Sequence, residues 1–536
     1  MSRDRSEIVS LFSTRLGLAA LILTLLIAVG ATAIFWQTTR WGVGLGSDSL
    51  AYIGGARNLL AGDGYTRTTG AYEKVPITHF PPFYSVSLAA VGRLLNLDPL
   101  QAARPWHAAL LLAGTLLAAL AFALMAQRPW MAPLGAVLFA ADAVFFETFA
   151  WGLSEALYLV LLLASLLAIA AYMRRRARPT LILAAALIAL IYLTRYAGLA
   201  LILTGLLVLL VIYTGRRSDR IDVVIFLAIT LAPVALLTLT NTLAAGSAVN
   251  RGFTWHLPEI GELRLAVRGV WEWLLPAKFL AGKDPELPPY VRAFVVLLLS
   301  ILALAGALLV RARRAARRDS PLTFLHGLSL LAALHIVIYA VLLLANWILV
   351  DASTPVSNRI LSPIYLSLLL LIGCGFALLV QSHTRPLQWL ALPLALLLVF
   401  IAVDDTIDVA RRIHAGGLGY ASSNWKASPT IQAITELPPD PILTDQPDAV
   451  YLLTGRPAFI VFGRINPVTG LPRPDYDEWL ASMRHTMCDE DGWLVIFVPD
   501  LLQFNPADRE MIETVTEGMR LDQKYEDGAI YRCDGA

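Results

Sequence analysis

Charge is scarce in this sequence, and lysine is scarcer still. Only 15% of the 536 residues are Asp, Glu, Lys or Arg, while 57% are hydrophobic and the mean hydropathy is +0.64. Soluble globular chains carry about a quarter charged residues, so an ordinary water-soluble enzyme is excluded, and so is a disordered chain. Three cysteines are too few for a disulfide-built secreted scaffold, and Cys374, Cys488 and Cys533 lack the spacing of a metal site. No small-x-small cleavage site follows the first apolar run, which therefore reads as a retained first span. Internal repeats and low-complexity linkers are also absent. Lysine occurs five times, so arginine carries nearly all of the positive charge.

What the sequence has in abundance is apolar runs of the roughly 20 residues that cross a bilayer. Spans are expected near residues 16–36, 106–126, 131–149, 153–173, 180–193, 197–213, 222–244, 291–310, 322–345, 360–380 and 387–403. The expected fold class is mainly α, a polytopic membrane protein of about 11 transmembrane helices. Two of these runs are short and meet at Thr194-Arg195-Tyr196, where a hairpin is favoured over one kinked helix. Basic residues gather at alternate junctions, from Arg3, Arg5 and Arg15 through Arg128, Arg174 to Arg178, Arg216 to Arg220 and Arg311 to Arg318 to Arg385, 17 in all. The positive-inside rule puts these junctions and the N-terminus in the cytoplasm of a multi-pass plasma (inner) membrane protein. An odd number of spans then sends the C-terminal part outside. The charge agrees: residues 404–536 hold 22 acids and 11 bases, whereas residues 1–403 hold 18 acids and 31 bases. Two domains are expected, a transmembrane one over 1–403 with its first outer loop at 37–105, and an extracytoplasmic α/β domain over 404–536.

In the C-terminal part, Ser428-Pro429 has the form of an N-cap followed by proline at the first helical position. Apolar stretches at 457–462 and 493–498 read as buried strands, with helical patterns at 476–487 and 507–518. That alternation predicts a small α/β domain, and no glycine-rich phosphate loop follows a strand. Cys488 and Cys533 either pair in an oxidising compartment or stand as two thiols; spacing alone leaves both open.

Candidate chemistry collects in the segments between spans. In Gly46-Ser47-Asp48-Ser49-Leu50-Ala51-Tyr52, the residues Ser47 and Asp48 start a helical pattern that stops at Gly62-Asp63-Gly64. As a cap alone, Asp48 is worth about 1 kcal/mol. Further on, the Pro81-Pro82 pair after His79-Phe80 forces an extended turn before a second amphipathic segment over 85–95. Arg195 falls in the break between the two short runs and Arg359 at the outer end of a late span. An arginine in or beside the membrane is costly unless paired, and its planar fork suits phosphate. Snorkelling of Arg359 and an ion pair between Arg195 and a nearby span acid are the alternatives. Asp142, Glu147 and Glu155 are the other acids near the outer face, and Glu155 also suits a helix N-terminus. The stretch 251–290 holds Trp255, His256, Glu259, Trp271 and Trp273, read as an interfacial amphipathic helix or as a lid.

With these segments in order, the chain resembles the GT-C glycosyltransferases over about residues 1–400. The resemblance rests on "DSLAYIGGARNLLAGDGY" with Asp48, "PPFYSVSLA", "WGLSEALYL" (Trp151–Leu159), "LTRYAGLAL" (Leu193–Leu201) and "SNRILSPIYLSLLLL" (Ser357–Leu371). Its nearest kin would be the polyprenyl- or dolichyl-phosphate-sugar-dependent enzymes of the glycosyltransferase family 39 type, including protein O-mannosyltransferases and lipid A aminoarabinose transferases. The resemblance implies that a sugar, mannose or another hexose, passes from a polyprenyl-phosphate donor to an acceptor hydroxyl on the outer face, with inversion. It makes Asp48 the general base, and Arg195, Arg359, Glu155, His79, Asp142 and Tyr52 the substrate-binding candidates. The acceptor would be a protein, lipid or glycan, with no nucleic-acid partner and no certain cofactor. A divalent metal held by His79 with Asp142 or Glu155 is a possible addition, set against a His79 that is merely hydrogen-bonded. Two departures stand out. His79-Phe80 replaces the Glu-Lys of the aminoarabinose transferases, and Ile360 stands where an Arg-Tyr-Leu-x-Pro pattern has Tyr. A transporter, flippase or polymerase acting on lipid-linked saccharides is the competing class, although the repeated halves and matching broken spans of transporters are missing.

Overall fold

The computed structural model describes residues 12–246, 255, 260–274, 287–318, 320, 322–350, 357–465, 471–497 and 509–533. Of the residues named above, Arg3, Arg5, His256 and Glu259 lie outside that set.

Helix α1 (Arg15–Thr38) opens on Thr14, whose Oγ1 accepts the Gly17 N–H at 3.0 Å. The first outer loop then folds into two surface helices, α2 (Ser47–Ala61) and α3 (Phe83–Leu95), with an antiparallel ribbon of β1 (Thr66–Thr68) and β2 (Lys74–Pro76) between them. Helix α2 ends where the sequence puts its stop, at Gly62 with φ 87°. Asp98 caps α4 (Pro99–Ala126) by accepting from Leu100 N–H at 2.9 Å, with Pro99 at the first position. Helices α5 (Met131–Ala140) and α6 (Ala143–Ala150) meet at a bend of 57°. There follow α7 (Glu155–Arg175), α8 (Arg178–Thr194) and, after one extended residue and a 3-10 turn, α9 (Leu199–Val211). The rest of the body is α10 (Arg217–Ala245), the amphipathic α11 (Ile260–Leu274), α12 (Leu287–Arg317), α13 (Phe324–Leu349), α14 (Asn358–Gln381) and α15 (Arg385–Gly416).

All the expected apolar segments lie in helices, and length separates them. Among the described residues, 8 helices are individually long and apolar enough to cross a membrane, or 9 with the bent pair α5–α6 counted as one span. Helices α8 and α9, the two short runs, have 17 and 13 residues. The chain is a multi-pass membrane protein. Burial sorts the spans into an inner and an outer set. The apolar stretch of α7 is 83% buried, and those of α14 and α4 are 67% and 61%, whereas α10 and α12 stand at 11% and α15 at 6%. Helix α7 is therefore the axis of the bundle, and the exposed leucines of α10, α12 and α15 form a lipid-facing surface.

Helix α15 continues as helix past residue 403 to Gly416 before the chain enters the small domain. That domain runs α16 (Ser423–Ala427), α17 (Pro429–Glu436), β3 (Ile442–Thr444), α18 (Pro447–Thr454), β4 (Phe459–Ile460), α19 (Tyr476–Cys488), β5 (Trp493–Phe497), α20 (Arg509–Thr516), β6 (Met519–Lys524) and β7 (Gly528–Cys533). The five strands form one sheet in the order β4-β3-β5-β7-β6, parallel from β4 to β5 and antiparallel from β5 to β6. Ser428 caps α17 as its sequence form predicts, accepting from Ile431 N–H at 3.0 Å. Cys488 and Cys533 are joined in a disulfide that ties the end of α19 to the last strand. Cys374 is free and buried in α14.

The small domain and the body are stitched together by backbone. Gly44 N–H donates to Ala150 O at 2.7 Å, and Gly152 N–H returns a bond to Gly44 O at 2.8 Å. On the other side, Tyr420 N–H donates to Leu45 O at 2.9 Å. Residues 43–45 thus run between the start of α7 and the segment that leaves α15. Two glycines make the approach possible. A Cβ on Gly44 would meet Leu418 Cβ at 2.6 Å, and one on Gly419, whose φ is +53°, would stand 2.0 Å from Leu45 O.

Gly419→Ala should lower the stability of the full chain by about 1–3 kcal/mol, read as a fall in its melting temperature; an unchanged transition would remove Gly419 from this role. Cys533→Ser opens a loop of 45 residues and should cost the small domain about 2–4 kcal/mol, seen as faster proteolysis of the domain under oxidising but not reducing conditions.

Candidate active site

The site begins with a carboxylate in an apolar place. Glu155 is the first residue of the central helix α7, and its side chain is only 5% exposed. An ionised group so placed needs cations brought to it. Two arrive from different parts of the chain. Arg195, the extended residue between α8 and the 3-10 turn, puts Nη1 2.7 Å from Glu155 Oε1. Arg359, in the first turn of α14, puts Nε 2.7 Å from the same oxygen. The break after α8 has a use here, since a continued helix would carry residue 195 past the head of α7.

Asp48 completes the group. It sits in the first turn of α2, where the helix dipole favours an acid. Its Oδ2 accepts from Arg359 Nη2 at 2.7 Å. Two guanidinium groups and two carboxylates therefore form one chain, Asp48–Arg359–Glu155–Arg195, with no net charge. Ser154 fastens one end, because its Oγ accepts from Arg195 Nη1 at 3.0 Å and lies 2.9 Å from the Tyr52 hydroxyl. Tyr52 is buried, and burial pushes its phenol above the ordinary range, so it acts as a neutral hydroxyl. Its ring packs edge-on to Tyr84 at 5.0 Å, and the Tyr84 hydroxyl lies 2.7 Å from His107 Nε2. The exposed side of the group is Asp48 and Arg359, at 27% and 33%.

The structure thus unites Asp48, Tyr52, Glu155, Arg195 and Arg359. Arg359 is not snorkelling, and Arg195 does make the ion pair with a span acid. Asp142 is engaged elsewhere: it accepts from Phe145 N–H at 2.9 Å as the cap of α6 and from Trp273 Nε1 at 2.7 Å. Trp273 in turn stacks on Tyr365 at 5.0 Å, which docks the amphipathic α11 on α14. Glu147 pairs with Arg412 at 3.0 Å. His79 is half-buried with its ring 4.8 Å from that of Phe80. Among the described residues, no three of His, Cys, Asp and Glu come together as a metal ligand set.

No protein-family model matches the chain, and no curated protein sequence matches it. Solved structures do match. ArnT from Cupriavidus metallidurans in the apo state superposes with a TM-score of 0.57 at 17% identity, over 96% of this chain and 98% of that one. The same protein bound to undecaprenyl phosphate gives 0.56 at 15% identity, over 95% and 98%. The arabinofuranosyltransferase AftD from Mycobacteria gives 0.55 at 14% identity, over 96% of this chain and 40% of that one. The chain has a GT-C fold.

On this GT-C frame the small domain closes over α2. Arg57 of α2 stacks over the Tyr451 ring of α18 with 5.4 Å to the centroid. The loop after β3 and the first turn of α18 carry two further acids, Asp445 and Asp448, that sequence reasoning did not single out. Both have carboxyls pushed up to about 6. Burial is the main cause in each. For Asp445 the Phe497 N–H, donating at 3.1 Å, opposes it. For Asp448 the Arg67 guanidinium opposes it and the Asp48 carboxylate adds to it, so Asp448 shares the electrostatic field of the site. The sequence held one signal for them, a pair of acids at the carboxyl end of a parallel strand, where α/β sheets hold ligands.

The raised Asp448 carboxyl fixes a pH dependence. Between its ordinary value of 3.8 and about 6, the folded chain holds a proton that the unfolded chain has released, so its contribution to stability falls as pH rises through that window. Asp448→Asn removes this loss. The variant should match the parent in melting temperature near pH 4, exceed it increasingly towards pH 6, and keep a constant lead above that. A lead independent of pH would exclude the assignment.

Proposed function

We propose that this chain is an inverting glycosyltransferase that moves a sugar from a polyprenyl-phosphate donor to an acceptor hydroxyl at the outer face of the membrane. The observation that carries the reading is the shared guanidinium of Arg359, 2.7 Å from both Asp48 and Glu155. It sets a group suited to phosphate beside a group suited to a proton. Fold analogy adds support, because ArnT has been solved with undecaprenyl phosphate bound.

The acceptor hydroxyl attacks the anomeric carbon from the side opposite the phosphate. The bond from that carbon to the phosphate oxygen breaks, its electrons leave with the phosphate, and the hydroxyl proton passes to Asp48. Arg359 and Arg195 bind the phosphate and stabilise the charge that grows on it. The leaving group is an anion that needs positive charge more than a proton. Before the donor enters, Asp48 is engaged by Arg359. A donor phosphate competing for that guanidinium releases Asp48 to act as base. Glu155, ion-paired with both arginines, holds them in register and is a positioning residue. Tyr52 and Ser154 anchor Arg195. The outward placement of the site is supported by the 17 basic residues at the alternate, opposite junctions. A hexosyl donor, with mannose the first choice, and a protein, lipid or glycan acceptor complete the proposal.

The test is transfer from labelled polyprenyl-phosphate sugars by purified protein. General base catalysis contributes about 10²–10⁴-fold. Asp48→Asn should therefore lower turnover at least about 100-fold while the melting temperature stays within a few degrees. Normal turnover by this variant would sink the base assignment. Donor translocation without transfer would favour a flippase.

A further inference from the structure

Cations from three parts of the chain meet at the seam between the body and the small domain. Arg40 follows the end of α1, Arg104 lies in the second turn of α4, and Lys426 belongs to α16 of the small domain. They gather on two tryptophans. The Arg104 guanidinium lies over the Trp36 ring, 4.0 Å from its centroid. Arg40 and Lys426 both lie over the Trp41 ring, at 5.0 and 5.9 Å.

All of their partners are neutral. Arg104 donates through Nε to Thr39 Oγ1 at 3.3 Å and through Nη2 to the Trp36 carbonyl. Lys426 Nζ donates to the Trp41 carbonyl. Arg40 has the Trp41 ring as its contact. Among the described residues, no carboxylate pairs with Arg40, Arg104 or Lys426. Other arginines on this face are matched, Arg57 by Asp98 at 2.9 Å and Arg412 by Glu147 at 3.0 Å. The Lys426 ammonium is pushed down, first by partial burial and then by the Arg104 guanidinium. The second cause means that the two cations face each other without an acid between them. Like charges held this close repel unless an anion joins them.

The patch lies at the surface of the membrane. Ile34 and Trp36, near the end of α1, are exposed on a helix whose apolar stretch is only 22% buried, so they face lipid. Tryptophan at the end of a span marks the level of the headgroups, and the cations stand just beyond it. The end of α15 is fixed to the same place, where Trp41 Nε1 donates to His414 O at 3.2 Å and His414 Nδ1 donates to Gln37 O at 3.0 Å. Donors remain open for a ligand: Arg40 is exposed, and Lys426 is exposed and has one hydrogen bond for three N–H groups. Positive charge at the headgroup level, with apolar side chains one turn deeper, matches a phospholipid of net negative charge.

We propose that this patch binds the phosphate of an anionic phospholipid, at the membrane face that carries the carboxylate–guanidinium group, and that the lipid bridges the body to the small domain. Arg40 and Lys426 hold the phosphate oxygens by charge-assisted hydrogen bonds, Arg104 adds its charge from α4, and the acyl chains follow Ile34 and Trp36 along α1. The bridge orders the segment that leads from α1 to residues 43–45 together with α16.

Hydrogen exchange of the full chain in nanodiscs tests this in phosphatidylcholine alone, with added phosphatidylglycerol, and with added inorganic phosphate. Phosphatidylglycerol should slow amide exchange in residues 39–45 and 423–427 at least about threefold relative to phosphatidylcholine. Arg40→Gln with Lys426→Gln should abolish the slowing, and Arg40→Lys with Lys426→Arg should keep part of it. Arg93→Gln with Arg520→Gln, an equal loss of charge on α3 and β6, should leave it intact. Equal exchange in the two lipids overturns the proposal. Equal losses in both glutamine pairs reduce the effect to bulk charge and overturn it as well. Inorganic phosphate that slows exchange as strongly as phosphatidylglycerol overturns the lipid as the occupant. Should the glutamine pair fail to fold, Lys426→Gln alone takes its place, and full slowing in that variant overturns the bridge. No sugar transfer enters the readout, so the result stands apart from the proposed reaction.

Discussion

Glu155 opens the most deeply buried helix of the bundle, and its carboxylate is 5% exposed. Burying such an ion alone costs several kcal/mol, and even a pair is only favourable when geometry and further hydrogen bonds are good. Much of the local architecture follows from meeting that condition. One cation comes from the break between α8 and α9, which explains two short helices where one long span would otherwise serve. The second comes from the head of α14. Two cations on one carboxylate leave an excess positive charge, and Asp48 restores neutrality from a surface helix. The order of exposure runs from Glu155 to Arg195 at 21%, then to Asp48 and Arg359 at 27% and 33%. The pair nearest water is the one that an incoming ligand can open.

Asp48 can fill this place only if its helix starts at a fixed point. Residues 43–45 are held on one side by the chain at 150–152 and on the other by the chain at 418–420. Both contacts are backbone to backbone, and the second depends on Gly44 and Gly419 having no side chain. The small domain is therefore part of the framework that sets Asp48, as well as the source of Asp448 above it. The domain is joined to the body by a single helix, yet it is pinned at the segment that leads directly to the site.

How much of this was legible in the sequence depended on contrast. In a chain with few charges, Asp48, Glu155, Arg195 and Arg359 stand out because each interrupts an apolar stretch or borders one. Their partnership did not stand out, since Asp48 and Arg359 are 311 residues apart and nothing local says that one guanidinium serves two acids. The partner of Asp142 was hidden for the same reason. Asp142 has the type and place of a site acid, but its partner Trp273 comes from an amphipathic helix 131 residues away. Asp445 and Asp448 were hidden among the many acids of the C-terminal part, and only the docking of α18 on α2 distinguishes them. The spans were readable from apolar length, whereas the end of α15 was not, because a helix with polar residues continues as helix after it leaves the apolar layer. The disulfide was one of two open readings until α19 and β7 were seen to end side by side.

The Glu155 end of α7 sets the terms on which an anion can bind. There both guanidinium groups face a carboxylate, so an anion that reaches Arg359 does so by exchange with Asp48. The net cost of that exchange is small, because one anion replaces another on the same cation, and its direction is set by how well phosphate fits two guanidinium groups at once. On the proposed function, that exchange couples donor binding to the release of a base.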